Sequence, residues 1–429
     1  MEFSKYKLKD LTVNGKGAYG IGASAVEYSP DLYKYLRITD IDDDGFINSN
    51  HMKSINDKNE ERYLLKPNDI VFARTGNSTG KSYFYSSDDG PLVYAGFLIK
   101  FSLDPTKLNP RYLRYYTLTN EYKGWVHQFS IGSTRKNINA KIFGDMEIGL
   151  PPRYYQNFVV DILDSLENKV KINKQIIANL EELSQTLFKR WFVDFEFPDK
   201  DGIPYKSSGG EMIDSELGEI PKKWNILTIN DFADDLIITG KTPSTKNKDN
   251  YSEKDIPFLT IPDMHTDVFS LNTIKYISEV GIEKVKNKII PENSLCVSCI
   301  ATPGLVSITS SETLTNQQIN SFTPKKNDLY YLYFYIKNMK KYIEDLGSGG
   351  SATLNLNKTQ FSKIKIIRPI NDLLKKFHKC VDSNFKIILT KQKENLKLQE
   401  LRDTLLPKLM SGEIEIPDDI EVNSDELSI

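Results

Sequence analysis

The chain repeats itself, and the repeat is long enough to dictate its architecture. Gly132-Ser133-Thr134-Arg135-Lys136-Asn137-Ile138-Asn139 matches Gly350-Ser351-Ala352-Thr353-Leu354-Asn355-Leu356-Asn357, an offset of 350 − 132 = 218 residues. The same offset carries Phe143 to Phe361, Pro151 to Pro369 and Asp164-Ser165 to Asp382-Ser383. It carries Leu180, Glu182, Leu183, Thr186 and Leu187 to Leu398, Glu400, Leu401, Thr404 and Leu405. Upstream it carries Tyr112, Tyr115, Asn120 and Lys123 to Tyr330, Tyr333, Asn338 and Lys341. No gap is needed from Tyr112 to Trp191. Nearer the start the offset drifts, and Leu36-x-Ile38-x-Asp40 aligns with Leu259-x-Ile261-x-Asp263 at 259 − 36 = 223. A register held over so many identities implies duplication of one unit. Half of 429 is close to 218, so two copies fill the length.

Each half has one order of elements. Strand-rich, turn-rich sequence comes first: Asp69–Ala73 and the stretch from Leu92-Val93-Tyr94 through Lys100-Phe101 in the first half, Ser294–Ile300 and Ile319–Phe322 in the second. One medium helix follows, Pro110 to about His127 and Asp328 to about Leu346, with a helix-starting Pro or Asp. A polar loop and another strand (Met146–Leu150; Ile364–Ile367) lead to a long helix. In the first of these, Arg153 to Arg190 holds no Pro or Gly. Leu166, Asn173, Leu180 and Leu187 recur every seven residues, interleaved with Val170, Ile177, Ser184 and Trp191. That is a coiled-coil seam with polar members, on a helix of roughly 55 Å. In the second, from about Asn371 to Leu406, Ile388, Leu398 and Leu405 occupy matching places. Neither stripe can be buried alone. Each helix either packs on its own globular half or pairs with the other, and a tandem repeat favours an antiparallel pair.

Composition excludes several classes. The net charge of -2 argues against a protein that coats nucleic acid through a basic surface, though not against local basic loops. No apolar run approaches the roughly 18–20 residues of a membrane span, and Met1–Asp10 is no secretory signal. Three cysteines form no disulfide framework, so a reducing cytoplasm is expected. Catalytic motifs fail on physical grounds. Gly76-Asn77-Ser78-Thr79-Gly80-Lys81-Ser82 has three residues between its glycines where a phosphate loop needs four, and a strand is expected after it. Asp40-x-Asp42-x-Asp44-Gly45 starts like a calcium loop but has His51 at the position of the bidentate Glu. Cys296-x-x-Cys299 lacks further ligands for zinc and reads as buried strand.

What remains suits binding. Arg74, Asn77, Ser78, Thr79 and Lys81 crowd a glycine loop after a strand, and Ser133, Thr134, Arg135, Lys136 and Asn137 form a second polar loop. The second half offers Lys241, Thr242 and Ser244, then Asn316, Gln317 and Gln318, then Ser351, Thr353 and Asn355. Such donors suit phosphates and base edges: Arg or Lys for guanine, Asn or Gln for adenine. Any one of them alone reads equally as ordinary surface; the sets together favour double-stranded DNA.

Five stretches resemble one family: Leu150–Phe195, Leu398–Ile414, Gly218-Glu219-Ile220-Pro221-x-x-Trp224, Tyr35–Gly45 and Gly132–Asn139. The chain resembles the DNA specificity (S) subunit of type I restriction-modification enzymes. The resemblance implies an α+β architecture. Two mixed target recognition domains, 1–152 and 218–369, would be held by long helices at 153–197 and 370–411 that form an antiparallel coiled coil, with a linker at 198–217 and an acidic tail at 412–429. Each domain would read one half of a split DNA site. The helices, through Leu166, Val170, Asn173, Ile177, Leu180, Leu187, Ile388, Leu398 and Leu405, would act as a ruler and dock two modification (methyltransferase) subunits. Restriction (motor and nuclease) subunits complete such a complex. The resemblance implies no cofactor or metal in this chain; methyl donor, Mg and ATP would belong to the partners. A fused methyltransferase-nuclease fragment and a coiled-coil adaptor without DNA binding are the rival readings.

Overall fold

The computed structural model describes residues 2–48, 52–129, 137–265, 267–348 and 354–416. They form two compact units. The first holds Met1–Asn168 with the segment from Leu398 onward, the second Lys169–Lys397. Each unit thus joins the sheets of one repeat to a stretch of both long helices.

In the first unit Ser4–Lys7 pairs antiparallel with Glu147–Leu150, the strand that leads into the long helix. A four-stranded antiparallel sheet runs in the order Ala18–Tyr19, Leu98–Ser102, Asp69–Ala73, Ser82–Phe84. A three-stranded sheet runs Lys53–Ser54, Lys34–Leu36, Leu92–Tyr94, the last pair parallel. Asp69–Ala73 is buried along its whole length. Successive side chains of a strand alternate between faces. Ile70 and Phe72 therefore join one core, with Phe101, Tyr122 and Phe143, while Val71 and Ala73 join another, with Leu36, Tyr94 and Leu98.

The second unit repeats this plan. Asn225–Thr228 pairs with Lys365–Arg368. A five-stranded sheet runs Ile238–Thr239, Ile319–Phe322, Leu295–Ser298, Val306–Thr309, Phe269–Ser270, and a four-stranded one Tyr251–Ser252, Tyr276–Ile277, Ile256–Leu259, Leu314–Thr315. Leu36 faces Tyr94 across a parallel pair, and Leu259 faces Thr315 the same way. The drifting offset of 223 is thus reproduced as strand register.

The medium helix expected in each half is broken in two. Pro110–Tyr116 is followed by Asn120–Gln128, and Leu329–Asn338 by Lys340–Gly347. In the first pair the Thr117 hydroxyl donates to the Arg114 carbonyl, and the Thr119 hydroxyl accepts from the Tyr122 N–H. One Thr competes with the end of a helix and the next caps a new one. Asn139 and Asn357, 218 residues apart, each cap the short helix that follows, accepting from Ile142 N–H and Gln360 N–H. Residues 198–217 are exposed or half-buried throughout, with a few ordered contacts. Met212–Ile213 pairs with Ile220–Pro221, and Phe197 stacks on Tyr205 at 4.6 Å and on Trp224 at 5.3 Å.

The long helices are Arg153–Phe188, prolonged by a wider turn over Lys189–Val193, and Asn371–Met410. They pack together, antiparallel. In the second unit Asn173 Nδ2 donates to Asn395 Oδ1 at 2.9 Å and Asn384 Nδ2 to Ser184 Oγ at 3.0 Å, so numbers rise along one helix as they fall along the other. In the first unit Tyr155 Oη donates to the Ile414 carbonyl, and Leu406 and Leu409 enter the core with Tyr155, Val159 and Leu163. Of the seam residues, Asn173 and Ile388 are fully buried. Ile177, Leu180 and Leu187 pack on the core of the second unit and Leu405 on that of the first. Leu166, Val170 and Leu398 are half-buried. Each helix also packs on its globular half, so the two readings of the stripe are both realised. Arg111 and Arg114 pair with Asp164 and Glu167 at 2.6 Å, and Tyr333 Oη donates to Glu181. Burial pushes the Glu167 carboxyl above its ordinary range against the pull of Arg114.

His378, on the C-terminal helix, stacks on Tyr330 with ring centroids 4.7 Å apart, and neither ring nitrogen has a hydrogen-bond partner. Burial holds its pKa below 6.5, with Lys326 and Lys386 acting the same way and Asp382 and Asp328 opposing. A base with a depressed folded pKa contributes stability that is full above its unfolded pKa and is lost as pH falls through the folded value. Thermal unfolding at pH values from about 7 down to about 5 should therefore show a steeper loss for the parent than for His378→Phe. Equal slopes would remove this role.

Two glycines allow close backbone approach. A methyl at Gly20 would stand 2.3 Å from the carbonyl oxygens of Tyr94 and Ala95, and one at Gly240 2.2 to 2.3 Å from those of Asn316 and Thr315. Gly20→Ala and Gly240→Ala should each cost about 1–3 kcal/mol. Gly124→Ala, in an exposed helix interior with open space around it, should gain about 0.5–1 kcal/mol. Unfolding temperatures of the three variants check both signs.

Candidate nucleic-acid interface

The sequence-derived loops fall largely together, one set per unit. In the first unit Arg74 follows the central strand, and its Nε donates to Asn137 Oδ1 at 3.3 Å. Its guanidinium lies over the Tyr19 ring at 5.0 Å. Asn77 and Ser78 sit on the single helical turn that follows, with Asn77 exposed. The Thr79 hydroxyl closes that turn on the Gly76 carbonyl. Lys81 is engaged elsewhere: its Nζ pairs with Asp43 at 2.8 Å and reaches the Ile41 carbonyl. In the second unit the Thr242 hydroxyl donates to Gln317 Oε1 at 2.6 Å, and Asn316 Nδ2 to Gln318 Oε1 at 2.9 Å. Lys241 N–H bonds the Thr315 carbonyl, and Asn355 bridges to Ile300. Ser244 lies farther along, its carbonyl accepting from Asn250. Ser133, Thr134, Arg135, Lys136, Ser351 and Thr353 lie outside the described residues.

One backbone frame carries both sets. Arg74 N–H bonds the Phe97 carbonyl at 3.0 Å, and Cys299 N–H bonds the Gln318 carbonyl at 2.8 Å. Ile138 N–H bonds the Arg74 carbonyl at 2.9 Å, and Leu356 N–H the Cys299 carbonyl at 2.8 Å. Gly20 N–H and Gly240 N–H bond the Leu98 and Ile319 carbonyls, both at 3.2 Å. The antiparallel registers that pair Ala73 with Leu98 and Ser298 with Ile319 place Arg74 opposite Phe97 and Cys299 opposite Gln318. Cross-strand partners project to the same face.

The side chains on this frame differ. The first unit has Tyr19, Arg74 and Phe97 where the second has Thr239, Cys299 and Gln318. There the Thr239 hydroxyl donates to Asn320 Oδ1 at 2.6 Å, and Asn320 Nδ2 donates to Cys299 Sγ at 3.2 Å. Phe97 is 59% exposed at its turn. Sequence reasoning missed Tyr19 and Phe97. It weighed polar residues only, although an offset near 221 would have led from the Asn316–Gln318 loop to Ala95–Phe97.

The rejected motifs look as their chemistry requires. A strand, Ser82–Phe84, follows the glycine loop. Asp40 is buried and bound by Arg37, with Arg37 Nη2 at 2.6 Å, while Asp42 Oδ1 accepts from the Asp44 and Phe46 N–H groups to close a turn. Burial pushes the Cys296 and Cys299 thiols up to about 12 and about 11, far from thiolate chemistry. Among the described residues no group of three or more His, Cys, Asp or Glu gathers to hold a metal. No helix among them is long and apolar enough to cross a membrane.

Comparison with known proteins agrees with this architecture. The model of the type I restriction modification DNA specificity domain matches residues 2–182 and again 221–399. The HindI specificity subunit of Haemophilus influenzae is 33% identical over 412 residues, spanning 83% of this chain and 88% of that protein. The MjaIX specificity subunit of Methanocaldococcus jannaschii is 26% identical over 321 residues, spanning 71% and 69%. The crystal structure of a type I S subunit from M. genitalium shares the fold, with a TM-score of 0.53 at 16% identity over 95% of this chain and 96% of that one. The chain therefore belongs to the type I restriction modification DNA specificity family and carries two copies of its domain.

Proposed function

We propose that this chain is the sequence-reading subunit of a type I restriction-modification complex, each recognition domain contacting one half of a split DNA site. One observation carries the reading: a single backbone frame, used twice, presents two different sets of polar side chains. Proteins that read sequence keep a scaffold constant and vary the groups that meet base edges. The curated relatives are named as specificity subunits of such enzymes. Methyl donor, Mg and ATP belong, on this reading, to modification and restriction subunits acting in the cytoplasm, and this chain supplies recognition rather than bond chemistry.

Docking of the modification subunits falls to the long helices. Of the seam residues, Asn173 and Ile388 are fully buried and hold the pair together, while Leu166, Val170, Ile177, Leu180, Leu187, Leu398 and Leu405 are half-buried and keep surface that a docked subunit can cover. The exposed large apolar side chains on the same helices include Ile172, Leu183, Ile387 and Leu401, with Tyr154 near the start of the first. Leu183 and Leu401 are 218 residues apart, as two copies of one docking face require.

Mapping methylated adenines across the genome, with the gene intact and deleted, tests the reading. Deletion should erase one bipartite motif. Replacing residues 1–152 by another recognition domain should change one half of that motif and leave the other. A motif indifferent to both manipulations would refute the proposal.

A further inference from the structure

Arg74 is ordered in a way that folding alone does not explain. Among the described residues of the first unit, Arg37, Arg111, Arg114 and Arg402 each pair with a carboxylate: Asp40, Asp164, Glu167 and Asp44. Among the described residues Arg62 and Arg153 have no such pair, Arg153 donating to the Pro105 carbonyl, and Arg74 has none either. It is held instead by a neutral acceptor, Asn137 Oδ1, and by the face of Tyr19. This arrangement fixes Nε and the plane of the guanidinium while the two terminal nitrogens have no partner among the described residues. A planar cation held by one edge presents the other as a two-pronged donor. Opposite it across the strand register stands Phe97, an exposed ring that no core accounts for. A large apolar side chain beside an unpaired guanidinium excludes water and strengthens the hydrogen bonds it makes.

The second unit lacks both features. Cys299 occupies the place of Arg74 and is tied to Asn320, while Gln318 stands where Phe97 does. At this edge Asn316 is half-buried with both amide atoms engaged by Gln318, while the Gln317 amide is exposed and its Oε1 accepts from Thr242. Arginine donates bidentately to guanine O6 and N7, and Asn or Gln pairs with adenine N6 and N7.

We propose that Arg74, flanked by Phe97, reads a guanine in the half-site of the first domain, at a place on the frame where the second domain carries Cys299 instead. This rests on the proposed function, and deepens it by naming the base and the group that reads it.

The test uses the full chain assembled with its modification subunits, and duplexes bearing the mapped motif with each guanine in turn replaced by 7-deazaguanine, which lacks the N7 acceptor. One replacement in the half assigned to residues 1–152 should weaken binding by roughly tenfold or more. Arg74→Gln should bind the normal and modified duplexes equally. Arg74→Lys, which keeps the charge and the stack on Tyr19 but not the fork, should also lose most of the discrimination, and it serves if the Gln variant does not fold. Phe97→Ala should lower the discrimination ratio several-fold. If the Arg74 variants bind more weakly yet keep the full preference for that guanine, Arg74 holds a phosphate and the assignment fails. It fails too if no guanine in that half is sensitive. A domain replacement that leaves the motif unaltered would instead bring down the DNA-reading function itself, so the two failures are distinct.

Discussion

The structure depends on one contact between amphipathic surfaces, the antiparallel packing of the two long helices. Each carries an apolar stripe that its own globular half covers only in part. The seam is not uniformly apolar. Asn173 is buried and donates to Asn395, and Asn384 donates to Ser184. A buried amide pair adds only about 1 kcal/mol when satisfied, but an amide left unsatisfied costs about 1–3 kcal/mol. A slip along the seam would part both pairs and bury their polar atoms against apolar neighbours. The polar members therefore do little for net stability and much for register, a role best attested for buried Asn in coiled coils.

Each globular half is anchored to its own stretch of helix. In the first unit Arg111, Arg114 and Tyr115 from one short helix reach Asp164 and Glu167, and Arg402 reaches Asp44. In the second, Tyr333 and Lys337 converge on Glu181. Partners that are buried and charge-assisted hold geometry better than exposed ion pairs do, because there is less solvent to compete for them. The central strand then has little freedom. Asp69–Ala73 is packed on both faces, and its last residue hands the chain to Arg74. The candidate edge is thus the continuation of a buried strand rather than the tip of a free loop.

Much of this was legible in the sequence because duplication prints every constraint twice. Caps at Asn139 and Asn357, buried Phe143 and Phe361, and the stripe pairs Val170/Ile388, Leu180/Leu398 and Leu187/Leu405 keep the 218-residue offset, whereas Leu166, Asn173 and Ile177 fall on Asn384, Lys391 and Asn395. The helix breaks were not legible. Thr117 and Thr119 are tolerable inside a helix, and only their hydrogen bonds show that they end one and begin another. Residues 198–217 carry the composition of a linker and hold no buried residue, and the stacking of Tyr205 on Phe197, which also stacks on Trp224, is a tertiary contact that no local pattern announces. At the candidate interface, polarity singled out Arg74, Lys81 and the Asn316–Gln318 loop and said nothing of the aromatics Phe97 and Tyr19, and the pairing of Lys81 with Asp43 joins residues too far apart in sequence for any motif to couple them.

The net charge of -2 acquires a physical meaning from these contacts. Phosphate neutralisation by free Lys and Arg supplies most of the affinity of non-specific DNA binding. In the first unit most described arginines are already bound to carboxylates, and Lys81 and Lys100 pair with Asp43 and Asp69. Cations committed to the fold release few counterions. Arg74 has no such pair, as Arg62 and Arg153 have none, and a guanidinium held only by Asn137 and Tyr19 is worth more to selectivity than to affinity. Under the proposed function this division is coherent: a chain that discriminates between bases needs few, well-held donors, while the subunits it assembles with can supply the charge that keeps the complex on the duplex.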